Sequence, residues 1–435
     1  MRRYFSAWAA SAGIAAVAAG LLPAGVAHAE GTFPGSTGPA TIRVSVSSDG
    51  TPDGVWGVDL PKVSADGRYV AFGSISTRLV PGKTTYNSDI YTHDVQTGVT
   101  NRVSVASDGT PSNGGSYWAS ISADGRYVAF QSDATNLVPG DTNRNEDVFV
   151  RDTQAGVTTR VSVASDGGQA DLYSGWPSIS ADGRYVAFVS RARNLVAGDP
   201  QDWYEDVFVH DLQTGTTTRV TRPQVDDGFA DNHTSYPVIS ANGQFVSYST
   251  DSPTQVTGDT NRTVDVFVFD RGAGTTERVS VADNGTQGNN VSYSAGISGD
   301  GRYVVFYSGA TNLVPGDTNK RSDIFVRDRL NGTTRRVSVA GDGAQANDSS
   351  ISPSISADGR FIAYTSRASN LVADDTNNHG DAFVYDTTTR ATSRASVFVS
   401  AVPTDDDVRV GPSISDDGRY VAYGTLRDAF LYRGW

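Results

Sequence analysis

The chain has 435 residues, with 35 Lys and Arg against 48 Asp and Glu, and no cysteine. Its formal net charge of −13 argues against DNA, RNA or an anionic lipid surface as partner. The absence of cysteine excludes disulfide bonds, zinc–thiolate centres and thiol catalysis. Only four acids are Glu and only three bases are Lys, whereas Asp, Gly, Ser, Thr and Asn, which favour turns, are abundant; this composition predicts an all-β protein.

The first 29 residues have the features of a signal peptide. Arg2 and Arg3 precede an apolar run rich in Ala and Gly, and Ala27-His28-Ala29 provides a small-x-small cleavage site. The run is too short and too rich in Ala and Gly for a membrane span. We therefore predict cleavage after Ala29, secretion to the exterior or the cell envelope without membrane insertion, and a flexible tail over residues 30–40.

The mature chain begins with one alternating strand, predicted at Thr41–Val46. The nonapeptide Ser122–Phe130 (Ser-Ala-Asp-Gly-Arg-Tyr-Val-Ala-Phe) then recurs at intervals of 58 to 60 residues, which is the signature of a repeat architecture. Its turn glycine stands at Gly67, Gly125, Gly183, Gly243, Gly301, Gly359 and Gly418.

Each repeat predicts four antiparallel strands. In the second unit these are a strand ending at Ser120-Ile121-Ser122, then Arg126–Ser132, Asp147–Asp152 and Thr159–Val163, with Asp-Gly and Gly-containing turns between them. Seven such units predict a seven-bladed β-propeller over residues 41–435 as a single domain. The seventh unit has no fourth strand of its own, so we expect Thr41–Val46 to complete it.

The pattern Ser-x-Asp-Gly-Arg-Tyr-Val-Ala-Phe, followed by Asp-Val-Phe-Val-x-Asp and Thr-x-Arg-Val-Ser, resembles the repeat of TolB-like propellers. The resemblance covers residues 41–435 and implies the propeller. TolB also carries an α/β domain and propeller-bearing prolyl peptidases carry a hydrolase domain, and neither of those functions is implied here. TolB-like pectate-fragment lyases group several metal-binding histidines at the propeller centre, and this chain has too few histidines to match.

The second-to-third loops are long and repeat an oxygen-rich element, Asp141-Thr142-Asn143, ahead of Asp147. Carboxylate and amide oxygens suit Ca²⁺, which tolerates irregular coordination, so these loops predict calcium sites; the alternative is that the side chains only cap their own turns. The predicted ligands are Asp141, Asn143, Asp259, Asn261, Asp317, Asn319, Asp375 and Asn377. The Asp that opens the third strand recurs in all seven units, and we predict a structural role for it.

The inter-blade connections combine Asx residues with aromatic residues, a mixture that often binds sugars and that also serves as packing between blades. The predicted ligand-binding residues are Trp56, Asn113, Trp118, Asp171, Trp176 and Tyr236. Broken symmetry at Asp231, His233 and Tyr236 makes these the catalytic candidates. His93 and His210 occupy equivalent strand positions that we predict to be solvent-exposed.

The sequence thus favours a secreted, monomeric binding module that recognises an extracellular glycan or protein through its long-loop face, with Ca²⁺ as the only candidate cofactor. The alternative is a glycan-active lyase or hydrolase with its site in the central pocket. A purely structural envelope protein is a third hypothesis.

Overall fold

The computed structural model describes residues 38–53, 59–198, 204–222, 234–396 and 407–434. Within these ranges the regular structure is entirely β, in seven four-stranded antiparallel sheets that form the blades of a propeller. The expected fold is therefore confirmed. The described residues contain no helix long and apolar enough to cross a membrane. The predicted signal peptide and most of the predicted tail lie outside the described residues.

The strands of each blade follow one another from the central channel outwards. Their bounds are β2 Asp59–Val63, β3 Tyr69–Ser74, β4 Asp89–Asp94 and β5 Val99–Arg102 in blade one; β6 Ser116–Ile121, β7 Tyr127–Ser132, β8 Asp147–Asp152 and β9 Val157–Arg160 in blade two; β10 Ser174–Ile179, β11 Tyr185–Ser190, β12 Asp206–Asp211 and β13 Thr216–Arg219 in blade three; β14 Thr234–Ile239, β15 Phe245–Thr250, β16 Asp265–Asp270 and β17 Thr275–Arg278 in blade four; β18 Ser292–Ile297, β19 Tyr303–Ser308, β20 Asp323–Asp328 and β21 Thr333–Arg336 in blade five; β22 Ser350–Ile355, β23 Phe361–Ser366, β24 Asp381–Asp386 and β25 Thr392–Arg394 in blade six; and β26 Val410–Ile414, β27 Tyr420–Gly424, β28 Ala429–Arg433 and β1 Ala40–Arg43 in blade seven.

The first strand closes the ring. β1 pairs antiparallel with β28, from Ala40 opposite Arg433 to Arg43 opposite Phe430, and so supplies the outermost strand of blade seven. The Ser45 hydroxyl donates to Asp428 Oδ1 over 3.1 Å, the bond that Ser162 makes to Asp147 within blade two. The two ends of the propeller are thus joined by the same contacts that hold a single blade together.

Several predicted strand boundaries differ from those of the structure: the strand predicted at Thr41–Val46 spans Ala40–Arg43, and the one predicted at Arg126–Ser132 begins at Tyr127. The innermost strand of blade two, predicted only by its end at Ser120-Ile121-Ser122, spans Ser116–Ile121. The outermost strand ends at Arg160, because the backbone N–H groups of Val161 and Ser162 both turn to the carbonyl of Val148, 2.7 and 3.5 Å away. Ser162 then points into the blade, where its Oγ donates to Asp147 Oδ1 over 2.6 Å.

The repeated nonapeptide builds a tight turn and a contact between blades. In blade three, Ser180 Oγ donates to Asp182 Oδ1 over 2.6 Å and accepts from the N–H of Tyr185 over 2.9 Å. Gly183 has φ of +73°, and a Cβ there would lie 2.1 Å from Cδ2 of Tyr127 in the preceding blade. Only glycine combines a positive φ with room for the ring of Tyr127, so the turn glycine allows the two neighbouring blades to pack closely. We call the side of the ring with these turns the turn face and the opposite side, with the long connections, the loop face.

The hydrophobic core lies between adjacent blades rather than within them. Ala71 and Ile90 of blade one pack in one cluster with Phe130, Phe149 and Leu137 of blade two. The two phenylalanine rings stack with centroids 5.9 Å apart, and the other described blades repeat this ring pair. Leu137 of the long loop is 1% exposed, which shows that the loop is pinned under its blade.

Candidate functional site

Three aromatic side chains form a contiguous row on the innermost strands of blades two, three and four, in which Trp118 is tilted by 42° against Trp176 and Trp176 stacks on Tyr236. Trp118, Trp176 and Tyr236 each occupy the third position of their strand, near the end where it enters from the loop face. The ring centroids of Trp118 and Trp176 are 5.8 Å apart, and those of Trp176 and Tyr236 are 4.4 Å apart at an interplanar angle of 27°. The structure thus brings together three residues that the sequence predicted as ligand-binding. We call them the aromatic stack.

A β-bulge sets the direction of each ring in the aromatic stack. The pairing register shifts between Tyr117 and Ser120, and again at the same place in blades three and four. Trp118, Trp176 and Tyr236 have φ of 57°, 54° and 54°, in the left-handed region that bulky side chains rarely adopt. Such a conformation costs of the order of 1–3 kcal/mol per residue and is typical of functional sites.

Side chains of the neighbouring blade hold the bulges in place. The N–H of Trp118 donates to Asp59 Oδ2 of blade one over 3.3 Å, and the N–H of Trp176 donates to Gln131 Oε1 of blade two over 3.0 Å. Gln131 Nε2 in turn donates to Glu146 Oε2 over 3.1 Å. Burial is the main cause that raises the pKa of Glu146, and the nearby Asp133 raises it further.

The aromatic stack occupies only one side of the ring. At the equivalent position Ser352 has a similar φ of 52° but no ring, and blade seven has Gly411, whose added Cβ would lie 2.6 Å from Ser352 Cβ. Blade one has Leu60. The bulge therefore belongs to the repeat, whereas the large aromatic residues are confined to three adjacent blades.

The aromatic stack has polar groups to offer a ligand. Tyr236 is 41% exposed and both tryptophans are half-buried. Among the described residues, none accepts a hydrogen bond from the indole N–H of Trp118 or Trp176 or from the hydroxyl of Tyr236. In blade five, Tyr293 and Tyr307 stack 5.3 Å apart, and the pKa of each is raised chiefly by burial and further by Tyr236. Aromatic surface therefore continues beyond the stack.

The innermost strands end at the turn face around the axis of the ring. A cavity of about 140 Å³ is lined there by the last inward residue of six innermost strands and by the turns that follow. Backbone hydrogen bonds link these turns from blade to blade, as from Ala65 N to Ala123 O and from Ala123 N to Ala181 O, both 3.0 Å. A ligand on the aromatic stack would therefore approach from the loop face.

Blade one contributes two charged residues that sequence analysis missed. Asp59 and Lys62 lie on β2, the innermost strand, where the other described blades carry uncharged residues. Burial raises the pKa of Asp59 and lowers that of Lys62, and each charge partly offsets the shift of the other. The signal that could have found them is the break in repeat symmetry at Asp59-Leu60-Pro61-Lys62.

Arginine engages the carboxylates of the predicted calcium loops. Arg160 of the outermost strand lies 3.6 Å from Asp141 and 3.7 Å from Asp147, and Asn143 directs its amide nitrogen, not its oxygen, at Asp147 Oδ2 over 3.2 Å. The described residues contain no group of three or more His, Asp or Glu placed to hold a metal. The other predicted ligands repeat this arrangement: Asp259 and Asn261 with Arg278, Asp317 and Asn319 with Arg336, and Asp375 and Asn377 with Arg394.

In blade one, too, a basic side chain of the protein lies beside the loop carboxylate. Lys83 replaces Asp141, and its amine lies 2.9 Å from Asp89 Oδ2 and donates to the carbonyls of Ser74 and Asn87. The geometry therefore supports the alternative of loop fixation by hydrogen bonds and ion pairs. Calcium binding stays a prediction. The recurring Asp that opens the third strand is structural, as predicted, because Asp147 is fully buried and bonded to Ser162.

The predicted Asx residues lie on the rim of the loop face. Asn113 accepts from the N–H of Thr135 over 2.8 Å and Asp171 accepts from the N–H of Arg193 over 2.9 Å, so both join the inter-blade connection to the long loop of their blade. Both are exposed, and neither touches the aromatic stack. Trp56 lies outside the described residues.

The catalytic candidates Asp231 and His233 also lie outside the described residues. The prediction that His93 and His210 are solvent-exposed is wrong: they are 5% and 4% exposed, with Nδ1 2.9 and 2.8 Å from the hydroxyls of Thr100 and Thr217. The neighbouring blade covers these strand ends, and burial lowers the pKa of His93 to about 4.

No family model and no curated protein matches the chain. Among solved structures, an oligogalacturonate lyase in complex with manganese aligns over 92% of this chain and 94% of its own, with 13% identity and a TM-score of 0.54. An acylaminoacyl peptidase of Pyrococcus horikoshii aligns over 88% of this chain with 12% identity and a TM-score of 0.53; this chain spans about half of it, 52%. TolB from Acinetobacter baumannii aligns over 85% of this chain and 81% of its own, with 15% identity and a TM-score of 0.40. At these identities the comparisons establish the propeller fold alone.

Proposed function

We propose that the protein is a secreted propeller that binds an extracellular glycan at the loop-face mouth of its central channel. The observation that carries this proposal is the aromatic stack, three large rings held in a strained backbone conformation on adjacent blades. The backbone conformation itself recurs at Ser352, but blades five to seven close the ring with small residues at the same position, so packing between blades does not require the large rings.

A sugar suits the chemistry of this surface. Pyranose rings present apolar C–H faces, which pack on aromatic rings, and hydroxyl groups, which accept hydrogen bonds from indole N–H and tyrosine O–H. The stack provides both kinds of contact, and the rigid blades beneath it fix the positions of the rings. Secretion, predicted from residues 1–29, would place the site where extracellular glycans occur.

Binding to a panel of neutral and acidic oligosaccharides tests the proposal, with tryptophan fluorescence as the readout. Trp176→Ala removes the central ring and should weaken binding by about 1.5–3 kcal/mol, roughly 10- to 150-fold. Trp176→Phe should lose less. Tyr86→Ala is the matched control, since Tyr86 is 71% exposed on the long loop of blade one and should leave affinity unchanged.

The same incubations also test the alternative of a glycan-active enzyme. New reducing ends would indicate a hydrolase and unsaturated products would indicate a lyase, and either result would favour an enzyme over a binding module at the mouth of the channel. No binding to any member of the panel, or equal binding by folded Trp176→Ala and the parent protein, would contradict the proposal.

A further inference from the structure

Lys62 breaks the repeat symmetry of the innermost strands. It is one of only three lysines in the chain, and it lies beside the channel one blade before Trp118. The equivalent residues are Ser120, Ser178, Val238, Gly296, Ser354 and Ser413. Ser120, Ser178 and Ser413 each accept the backbone N–H of the next innermost strand, as in the 3.1 Å bond from Ile179 to Ser120. A lysine cannot accept that bond, so blade one lacks the contact that these three serines make and carries an amine instead.

The Lys62 amine forms no close ion pair with the part of the chain that the structure describes, and Asp59 is the carboxylate that acts on it electrostatically. Lys62 is half-buried and forms no ion pair with any described carboxylate. Burial lowers the pKa of Lys62, and Asp59 only partly offsets the shift. Lys83 shows the contrast, because it is buried with a carboxylate 2.9 Å away and two carbonyl acceptors.

Asp59 is already engaged by backbone N–H groups. Its Oδ2 accepts from Trp118 N over 3.3 Å and its Oδ1 from Leu60 N over 2.9 Å. The residue that anchors the first ring of the aromatic stack therefore stands three positions from Lys62 on the same strand. A ligand that covers Trp118 would lie against blade one, whose innermost strand carries both the carboxylate that holds Trp118 and Lys62.

We propose that Lys62 binds an anionic group of the ligand, so that the site selects a carboxylated sugar over the neutral sugar of the same shape. This inference rests on the proposed glycan-binding function and deepens it. Lysine binds as a point charge, so a sulfated sugar shares the chemistry, and the experiment includes it as a separate arm.

The test compares two oligosaccharides that differ only at C6: a β-1,4-linked glucose oligomer and its C6-oxidised glucuronate form. The full mature chain should bind the glucuronate oligomer about 10- to 100-fold more tightly, as expected of a charge-assisted contact in a partly buried site. Lys62→Met should abolish the preference and leave affinity for the neutral oligomer unchanged, and Lys62→Arg should retain much of it. Lys320→Met is the matched control, since Lys320 is exposed on the long loop of blade five and should alter neither affinity.

Salt dependence gives a readout that needs no variant. Affinity for the glucuronate oligomer should fall as salt rises while affinity for the neutral oligomer stays constant. Equal affinity of the parent protein for both oligomers would overturn the inference and leave the proposed function standing. No binding of either would overturn the proposed function as well. A 6-sulfated glucose oligomer bound as tightly as the glucuronate form, with the same loss in Lys62→Met, would support an anion site and widen its ligand class.

Discussion

The contact between the turn glycine of one blade and the ring of the preceding blade gives a sharp stability prediction. Gly183 has φ of +73° and lies against Tyr127, to whose Cδ2 an added Cβ would be 2.1 Å distant. Gly140 is the matched control: its φ is +74°, but an added Cβ would meet nothing within 4 Å. The two glycines differ in neighbours and hardly at all in backbone conformation.

The magnitudes follow from separating backbone strain from overlap. Gly140→Ala should cost only the left-handed strain, about 1–2 kcal/mol. Gly183→Ala should cost the same strain plus an overpacking penalty of about 1–3 kcal/mol, because the ring of Tyr127 must shift. The expected total is therefore about 2–5 kcal/mol, and the difference between the two variants isolates the contact between blades.

Urea unfolding monitored by tryptophan fluorescence measures both variants, with the m-value compared to confirm a common transition. Tyr127→Ala completes a double-mutant cycle. In a protein that already carries Tyr127→Ala, the destabilisation caused by Gly183→Ala should fall to that of Gly140→Ala, because the ring that the new Cβ would meet is gone. Equal destabilisation by Gly183→Ala and Gly140→Ala in the parent protein would refute the reasoning.

Two further predictions concern charge. Arg160 engages the loop carboxylates, so Arg160→Met should cost about 3–5 kcal/mol by leaving buried carboxylates without a counter-charge, and a cost no larger than that of exposed Arg144→Met would contradict this. A chelator tests the calcium prediction in the same unfolding assay: a lower midpoint would support bound calcium, and an unchanged midpoint would favour fixation of the loops by arginine alone. The Arg302 guanidinium holds the pKa of Asp328 at about 2, below its ordinary 3.8. Because folding lowers this pKa, the ion pair stabilises the folded protein above pH 3.8, and this stabilisation is lost as the pH falls towards 2. Arg302→Gln should therefore lower the urea midpoint at neutral pH and leave it equal to that of the parent protein near pH 2. A lower midpoint that persists at acid pH would contradict this.

The sequence by itself determined the architecture. The spacing of the turn glycines and the strand patterns between them predicted seven blades, because these features are local and repeat seven times. The offset of Thr41–Val46 predicted the closure of the ring, because the seventh unit lacks the strand that this segment supplies. The buried role of the Asp at the start of the third strand followed from the same comparison of repeats.

Only the tertiary structure decided what the side chains do. Asp141 and Asn143 look like metal ligands in sequence, but their partner Arg160 lies on the outermost strand and reaches them only in the folded blade. The stacking of Trp118, Trp176 and Tyr236 depends on bulges and on neighbouring blades, whose residues are about 58 to 60 positions apart in the chain. The same holds for Asp59 beneath Trp118. Such contacts cross blade boundaries, and no local pattern encodes them.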